Sequence, residues 1–160
     1  MDVFDELAAR NAAAADGFVE VPMGPDLDLV VVTCVDPRVH PTSTLGIARG
    51  DAFVMRVVGG RVTDAVINGL AMIFAMKGSP QAVAVMHHTD CGTARLAGEL
   101  AWEVSAATGR PAAHFRSIAV VDPRESVSAD VRRLVESLPD GTPVAGFVYD
   151  VATGVADRVA

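Results

Sequence analysis

Short apolar runs alternate along the chain with segments whose apolar residues recur at helical spacing. The runs are rich in β-branched residues and short enough for strands, which the pattern predicts at 28–33, 52–58, 81–86 and 144–151. Continuous apolar runs of this kind are typical of strands that are buried on both faces of a parallel sheet. A last short strand is expected after the turn at 152–154.

The segments between these runs are predicted to be mainly helical. We expect helices at 1–18, 43–48, 64–76, 93–106 and 126–137. Thr63 is the expected cap of the third helix. Residues 19–27 are predicted to form a linker because they contain two prolines and a glycine, and the stretch 107–122 is predicted to be a loop.

Strands that alternate with helices indicate an α/β fold, with a mainly parallel central sheet flanked by helices. A chain of 160 residues is long enough for one domain and short for two. We therefore expect a single domain over 1–160, of which 1–27 form an N-terminal helix and linker arm.

Composition narrows the possible partners. The formal net charge is −7, whereas nucleic-acid binding needs clustered lysine and arginine, so neither a nucleic acid nor an anionic membrane is expected as a partner. The acidic first residues do not resemble a signal peptide, and no apolar run reaches the ~18 residues of a membrane span. We expect a soluble, cytoplasmic protein. Its hydrophobic fraction of 51% favours burial of some surface against a second copy.

Candidate chemistry lies where two predicted strands end. Cys34 follows the first strand, His88 follows the third, and Cys91 comes three residues later. Ligands collect at the carboxyl ends of strands in open α/β sheets. Two thiolates and an imidazole are zinc ligands, and a set of three leaves the fourth position open for water or substrate, as in catalytic sites. The sequence predicts a catalytic zinc site, with a Cys34–Cys91 disulfide as the alternative.

Asp36 and Arg38 lie next to this ligand set. A carboxylate two residues after Cys34 can reach the metal or its water, and Arg38 can hold that carboxylate through a bidentate ion pair. The alternative is an ordinary salt bridge in a loop. The open position on the metal favours the catalytic interpretation.

Other polar residues near the ligands are given lesser roles. His87 points away from His88 in an extended chain, so a supporting hydrogen bond is favoured over a proton relay. Asp90 is predicted to form a turn or accept a hydrogen bond. His40 is predicted to be a solvated loop residue, with proton shuttling as its alternative. Gly59-Gly60 is predicted to be a tight turn with positive φ, not a phosphate loop.

The motifs Cys-x-Asp-x-Arg at 34–38 and His-x-x-Cys at 88–91, at this separation, resemble the β-class carbonic anhydrases, above all their compact archaeal-type and actinobacterial members. The match extends through 50–56, 60–64 and 146–154.

The resemblance implies that Cys34, His88 and Cys91 bind one Zn²⁺ per chain. It implies that Asp36 accepts a hydrogen bond from the zinc water and that Arg38 fixes Asp36. In a closed, water-free form, Asp36 would itself be a metal ligand.

The implied activity is the reversible hydration of carbon dioxide to bicarbonate and a proton by zinc-bound hydroxide. The implied assembly is a homodimer, or a tetramer, in which the N-terminal helix packs on the partner. Two departures lie near the expected pocket: Val57 and Val58 replace the family's Asn-Ala, and Thr93 stands where methionine is common. Hydrolysis of carbonyl sulfide or carbon disulfide on the same site is therefore an alternative, and a non-catalytic zinc-binding bicarbonate or redox sensor is another.

Overall fold

The computed structural model describes residues 2–160 and has a five-stranded sheet at its centre. The strands are β1 (Leu29–Cys34), β2 (Ala52–Val57), β3 (Ala82–His88), β4 (Val144–Tyr149) and β5 (Ala156–Arg158). Their order across the sheet is β2-β1-β3-β4-β5. The first four are mutually parallel and β5 pairs antiparallel with β4, so the predicted α/β class with a mainly parallel sheet is confirmed.

Helices fill the connections between the strands. They are α1 (Val3–Ala14), α2 (Pro41–Thr44), α3 (Asp64–Lys77), α4 (Leu100–Thr108), α5 (Ala112–Arg116) and α6 (Pro123–Ser137). Two 3₁₀ segments, Val58–Gly60 and Gly92–Ala97, follow β2 and β3. Across residues 2–160, no helix combines the length and the apolar character that crossing a membrane requires.

The main core lies between the sheet and the helices α3 and α6. Val30 and Val32 of β1 pack there with Leu70 of α3 and Leu134 of α6, and each of these side chains is fully buried. Burial of a valine or leucine contributes about 1.5–3 kcal/mol. Val31, which points to the other face of β1, is equally buried, as the continuous apolar run predicted.

Several predicted boundaries are wrong, each for a local reason. Val58 leaves the strand because Gly59 adopts a φ of 73°. The helix predicted at 43–48 lies earlier, at Pro41–Thr44, because proline is well suited to a first helical position. The helix predicted at 93–106 is split into a 3₁₀ segment and α4 at Gly98. The predicted loop 107–122 contains α5, whose Ala112 and Phe115 pack into a second apolar cluster.

Caps account for other boundaries. The side chain of Asp122 accepts hydrogen bonds from the backbone amides of Arg124 and Glu125, so α6 begins three residues before the predicted Ser126. Thr63 occupies the N-cap position of α3, but its side chain makes no capping hydrogen bond to the described residues. The position of this cap is as predicted, but the side-chain hydrogen bond typical of a threonine cap is not formed.

The N-terminal arm contributes little to the core. Within Val3–Ala14 no residue is buried, and Val3, Phe4 and Leu7 are each 65–75% exposed. The helix is shorter than the predicted 1–18, and Met1 lies outside the described residues. That α1 packs on a partner subunit stays a prediction.

Candidate metal centre

Parallel pairing of β1 and β3 brings the three predicted ligands together. Thr33 is in register with Met86, so Cys34 and His88 lie where these two neighbouring strands end. The chain turns after His88 and brings Cys91 back to the same point. All three side chains are buried, and their ligand atoms lie within 4.8 Å of one another. The structure thus brings together Cys34, His88 and Cys91, as the sequence predicted.

The imidazole of His88 is oriented for metal binding. Its Nδ1 lies 2.8 Å from the backbone oxygen of Thr89. Because a carbonyl can only accept, Nδ1 donates, and Nε2 presents a lone pair. This Nε2 is buried and has no hydrogen-bond partner among residues 2–160. Burial lowers the pKa of His88, but Cys91, the Thr89 backbone and Asp36 together outweigh it, so the pKa lies above its usual value.

The two thiols affect each other in opposite directions. The neighbouring Cys91 thiol, together with burial, raises the pKa of Cys34. The neighbouring Cys34 thiol, aided by His88 and Thr93, lowers the pKa of Cys91 to about 3. Without a cation, two buried sulfurs this close retain one proton between them, because two adjacent negative charges repel. A bound dication would stabilise both thiolates.

The donor set fits zinc. Zinc binds sulfur at about 2.3 Å and nitrogen at about 2.0–2.1 Å, so its tetrahedral ligands lie about 3.5–3.8 Å apart. A cluster within 4.8 Å can close onto the metal through small side-chain movements. Two sulfurs and an imidazole disfavour magnesium and calcium, which prefer oxygen. Both cysteines are free thiols, so the alternative disulfide is not formed.

Asp36 is locked beside the cluster by Arg38. The Nε and Nη2 of Arg38 donate to the two carboxylate oxygens of Asp36 at 3.0 and 2.8 Å. Its Nη1 and Nη2 also donate to the side chain and backbone oxygen of Asp90, at 2.8 and 3.0 Å. These contacts, led by the Arg38 side chain, lower the pKa of Asp36 to about 2. Oδ2 of Asp36 lies 4.0 Å from Nε2 of His88, so an ionised carboxylate faces the cluster.

Backbone geometry and one arginine hold the metal segments together. A Cβ on Gly60 would lie 3.1 Å from the Cys34 nitrogen and 3.1 Å from the Met86 oxygen, and the residue has a φ of 68°. The Gly59-Gly60 turn has the predicted positive φ and permits this close approach. Arg56 donates to the backbone oxygens of Cys34 and Asp36, at 3.1 and 2.7 Å. The sequence reasoning missed Arg56, although an arginine within an apolar strand was a signal.

A second polar cluster lies on the opposite side of β3. His87 is fully buried, and its Nε2 lies 3.2 Å from Oδ2 of Asp130 in α6. Arg61 donates to both oxygens of this carboxylate, at 2.8 and 3.1 Å, and the Val62 amide donates to one at 3.1 Å. The expected supporting role of His87 agrees with this contact. The sequence did not single out Asp130 or Arg61, because a charged residue in a predicted helix or loop is common.

The remaining residues form the edges of the site. Val120 packs on Cys34 and Cys91 in a small buried cluster, and the sequence reasoning did not identify it. Val35 and Val58, in contrast, are 49% and 54% exposed. His40 is exposed and bonds only locally, with its Nδ1 2.8 Å from the Thr42 hydroxyl, which fits the solvated loop residue that was predicted.

Known proteins share both the sequence and the fold. A family model described as carbonic anhydrase matches residues 29–121. Beta-carbonic anhydrase 1 of Mycobacterium tuberculosis is 36% identical over 164 residues, which cover 99% of each chain. The crystal structure of a carbonic anhydrase from Streptococcus mutans has a TM-score of 0.87 at 34% identity and covers 100% of this chain and 99% of that one.

A further similarity is local. A carbon disulfide hydrolase from Acidianus sp. is 42% identical over 71 residues, which are 44% of this chain and 34% of that protein. The family model and the full-length similarity to the mycobacterial enzyme nevertheless agree with the metal cluster and the sheet. This chain therefore belongs to the β-carbonic anhydrase family.

Proposed function

We propose that this protein is a zinc-dependent carbonic anhydrase that interconverts carbon dioxide and bicarbonate. One observation carries the proposal: the Cys34–His88–Cys91 cluster lies beside a carboxylate, Asp36, that Arg38 locks in its ionised form. Family membership supports the same activity.

Cys34, His88 and Cys91 would hold the zinc ion. Zinc supplies a Lewis acid that lowers the pKa of a coordinated water and leaves one position open beside three protein ligands. The hydrogen bond from His88 to the Thr89 oxygen fixes the imidazole, so that Nε2 stays directed at the cluster.

Asp36 would orient the attacking water. Its pKa of about 2 keeps it ionised at neutral pH, so it accepts hydrogen bonds and does not donate them. Both of its oxygens are engaged by Arg38, which opposes a movement of the carboxylate onto the metal. We therefore favour Asp36 as a hydrogen-bond acceptor over Asp36 as a fourth ligand.

We propose a small neutral substrate. Val35 follows the ligand Cys34, its amide donates to the Val57 oxygen, and Val35 and Val58 both expose apolar surface. Carbon dioxide has no hydrogen atoms to donate, and apolar valine side chains do not form hydrogen bonds with its oxygens.

The test is stopped-flow hydration of carbon dioxide by the zinc-loaded protein at pH 8–9, with Asp36→Ala as the comparison. We expect rapid turnover that a chelator abolishes and added zinc restores. Hydration by the zinc-loaded protein that is no faster than that of Asp36→Ala would contradict the proposal.

Carbon disulfide or carbonyl sulfide is the second candidate substrate. The local similarity to the Acidianus hydrolase and the exposed Val58 favour it. Both are linear molecules like carbon dioxide. Sulfur is less polar than oxygen, so a sulfur atom is better suited to lie beside an exposed apolar side chain such as Val58. Release of sulfide from either substrate, compared with the hydration rate on the same protein batch, discriminates between the two activities.

We also propose a homodimer in which α1 covers the partner. Side chains alternate along β3, so Val83 and Val85 face α3 and α6, whereas Ala82 and Ala84 line a groove of about 400 Å³ on the other face. The groove is mainly apolar, as is the exposed stripe of α1. Sedimentation of the wild type and of a Phe4→Asp/Leu7→Asp variant tests this, with a dimer and a monomer as the expected results.

A cytoplasmic location is proposed from the chemistry of the thiols. Cys34 and Cys91 are close enough to share a proton, and a reducing compartment keeps such a pair available to a metal. Fractionation of cells that carry a tagged full-length chain tests the location.

A further inference from the structure

Thr93 lies directly against one of the candidate metal ligands. It is buried in the first turn of the segment Gly92–Ala97, and its Oγ1 lies 3.1 Å from Sγ of Cys91. The contact therefore places a side-chain hydroxyl within hydrogen-bond distance of a candidate ligand atom.

The direction of this hydrogen bond follows from the chemistry of the ligand. A cysteine that binds zinc does so as a thiolate, which has no proton to donate. The Thr93 hydroxyl must then be the donor. A hydrogen bond to an ionised acceptor is stronger than a neutral one, and burial keeps water from replacing it.

The surrounding backbone is shaped around this hydroxyl. A Cβ on Gly59 would lie 3.2 Å from Thr93 Oγ1 and would force the side chain to shift. Gly59 also has a φ of 73°, which side chains disfavour. The 3₁₀ turn after β2 therefore leaves the space that the hydroxyl occupies.

Backbone groups also stabilise the ionised form of the two sulfurs. The backbone of Asp36 and of Gly59 lowers the pKa of Cys34, and the backbone of Thr93 lowers the pKa of Cys91. Substitution of Thr93 removes a side-chain donor and leaves these backbone groups in place. This makes the effect of the hydroxyl separable by mutation.

We propose that Thr93 is a positioning residue of the metal centre, whose buried hydroxyl donates to the Cys91 thiolate, fixes that sulfur and weakens its electron donation to the metal. The inference rests on the proposed zinc site. Two thiolates neutralise the charge of a zinc ion, and a donor on one of them makes the metal a stronger Lewis acid.

The test replaces zinc with Co²⁺, whose thiolate-to-metal charge-transfer absorption reports the donation by sulfur. In Thr93→Val, which has nearly the same shape, we expect this band to move to longer wavelength. Thr93→Ser keeps the hydroxyl and is expected to retain the wild-type band. With zinc bound, kcat of Thr93→Val should fall about 10-fold with KM unchanged, because Thr93 does not touch the substrate.

Thr33→Val is the matched control. Thr33 is also buried and adjacent to a ligand, but its hydroxyl donates to the Met86 oxygen at 3.0 Å and not to sulfur. Its band should stay at the wild-type position. Should Thr93→Val not fold, Thr93→Ala removes the same donor and is expected to show the same shift.

Two failures are distinguishable. If the wild-type protein with Co²⁺ shows no thiolate charge-transfer band, the proposed metal site is wrong and the role of Thr93 is lost with it. If the band is present but neither Thr93→Val nor Thr93→Ala moves it, the metal site stands and the role of Thr93 is overturned.

Discussion

Two consecutive histidines of β3 face two clusters of similar design on opposite sides of the strand. His88 faces Asp36, whose carboxylate is held in a bidentate pair by Arg38. His87 faces Asp130, which is held in the same way by Arg61. Because side chains alternate along a strand, one step in sequence separates the metal-side cluster from the core-side cluster.

The clusters differ in their access to water. In the metal-side cluster the side chains of Asp36 and Arg38 are 15% and 46% exposed, whereas those of Asp130 and Arg61 are 3% and 16% exposed. Removal of one partner from a buried pair leaves an uncompensated charge, which is far more costly than in an exposed pair. The comparison predicts a core-side cluster that serves stability and a metal-side cluster that serves chemistry.

The core-side cluster also connects distant segments. Besides Asp130, Arg61 donates to the backbone oxygens of Ala119 and Ser117, at 3.2 and 3.4 Å. The next residue, Val120, packs against Cys34 and Cys91. Val120, which packs on the Cys34 and Cys91 side chains, is therefore attached to the core through Arg61. The ends of β1 and β3 position Cys34 and His88.

The largest expected effect is on stability, in Asp130→Ala. Arg61 would be left largely buried without its carboxylate, so the free energy of unfolding should fall by about 3–5 kcal/mol. Denaturant titration of the zinc-loaded protein measures it. Asp157→Ala is the matched control, because its pair with Arg124 is exposed and its loss should cost under about 1 kcal/mol. Equal losses in the two variants would refute the contrast in burial.

Asp36→Asn should have the opposite profile. It keeps the shape of the side chain but removes the charge that faces the cluster, so kcat/KM should fall about 100-fold, equivalent to about 2.7 kcal/mol. The free energy of unfolding should change by less than about 1 kcal/mol, since Arg38 is half exposed. A stability loss as large as that of Asp130→Ala would show that the metal-side cluster is structural as well.

Acid separates the clusters further. Burial raises the pKa of Asp130, but His87 and Arg61 outweigh it, so the pKa lies below its usual value. A carboxylate whose pKa is lower in the folded than in the unfolded protein stabilises the folded state. This contribution is present in full above the unfolded pKa of about 3.9 and is lost as pH falls through the folded pKa. The difference in unfolding free energy between the wild type and Asp130→Asn should thus shrink between pH 5 and pH 2. A constant difference would contradict the ionised state of Asp130.

The metal-side cluster was readable from sequence, whereas the core-side cluster was not. Cys34 and His88 end apolar runs that predict strands of a parallel sheet, and strand ends are where ligands collect. Asp36 and Arg38 follow within four residues of Cys34, so local spacing was enough. Asp130 lies 69 residues after Arg61. Only the packing of α6 on the sheet brings them together, and no local pattern encodes that contact.

The predicted secondary structure divides in the same way, between elements with a local sequence pattern and elements that depend on tertiary contacts. β1 and β3 were predicted because burial on both faces leaves continuous apolar runs. The helix α5 was missed because it has five residues and depends on the packing of Ala112 and Phe115 beside α4. Short helices gain most of their stability from tertiary contacts, which a local pattern does not contain.

The smallest expected effect tests how the metal-side cluster is held. Asp90 has a φ of 53° and accepts a hydrogen bond from Arg38 at 2.8 Å, but its side chain is 78% exposed. Asp90→Asn removes an exposed ion pair and keeps a side chain that tolerates this backbone conformation, so kcat/KM should fall only a few-fold, with under about 1 kcal/mol lost in stability. Steady-state hydration at low and high salt measures it. The variant should differ less from the wild type at high salt, because screening already weakens the pair in the wild type. A loss as large as that of Asp36→Asn would mean that Asp90, and not the bidentate pair alone, fixes Arg38 over the metal ligands.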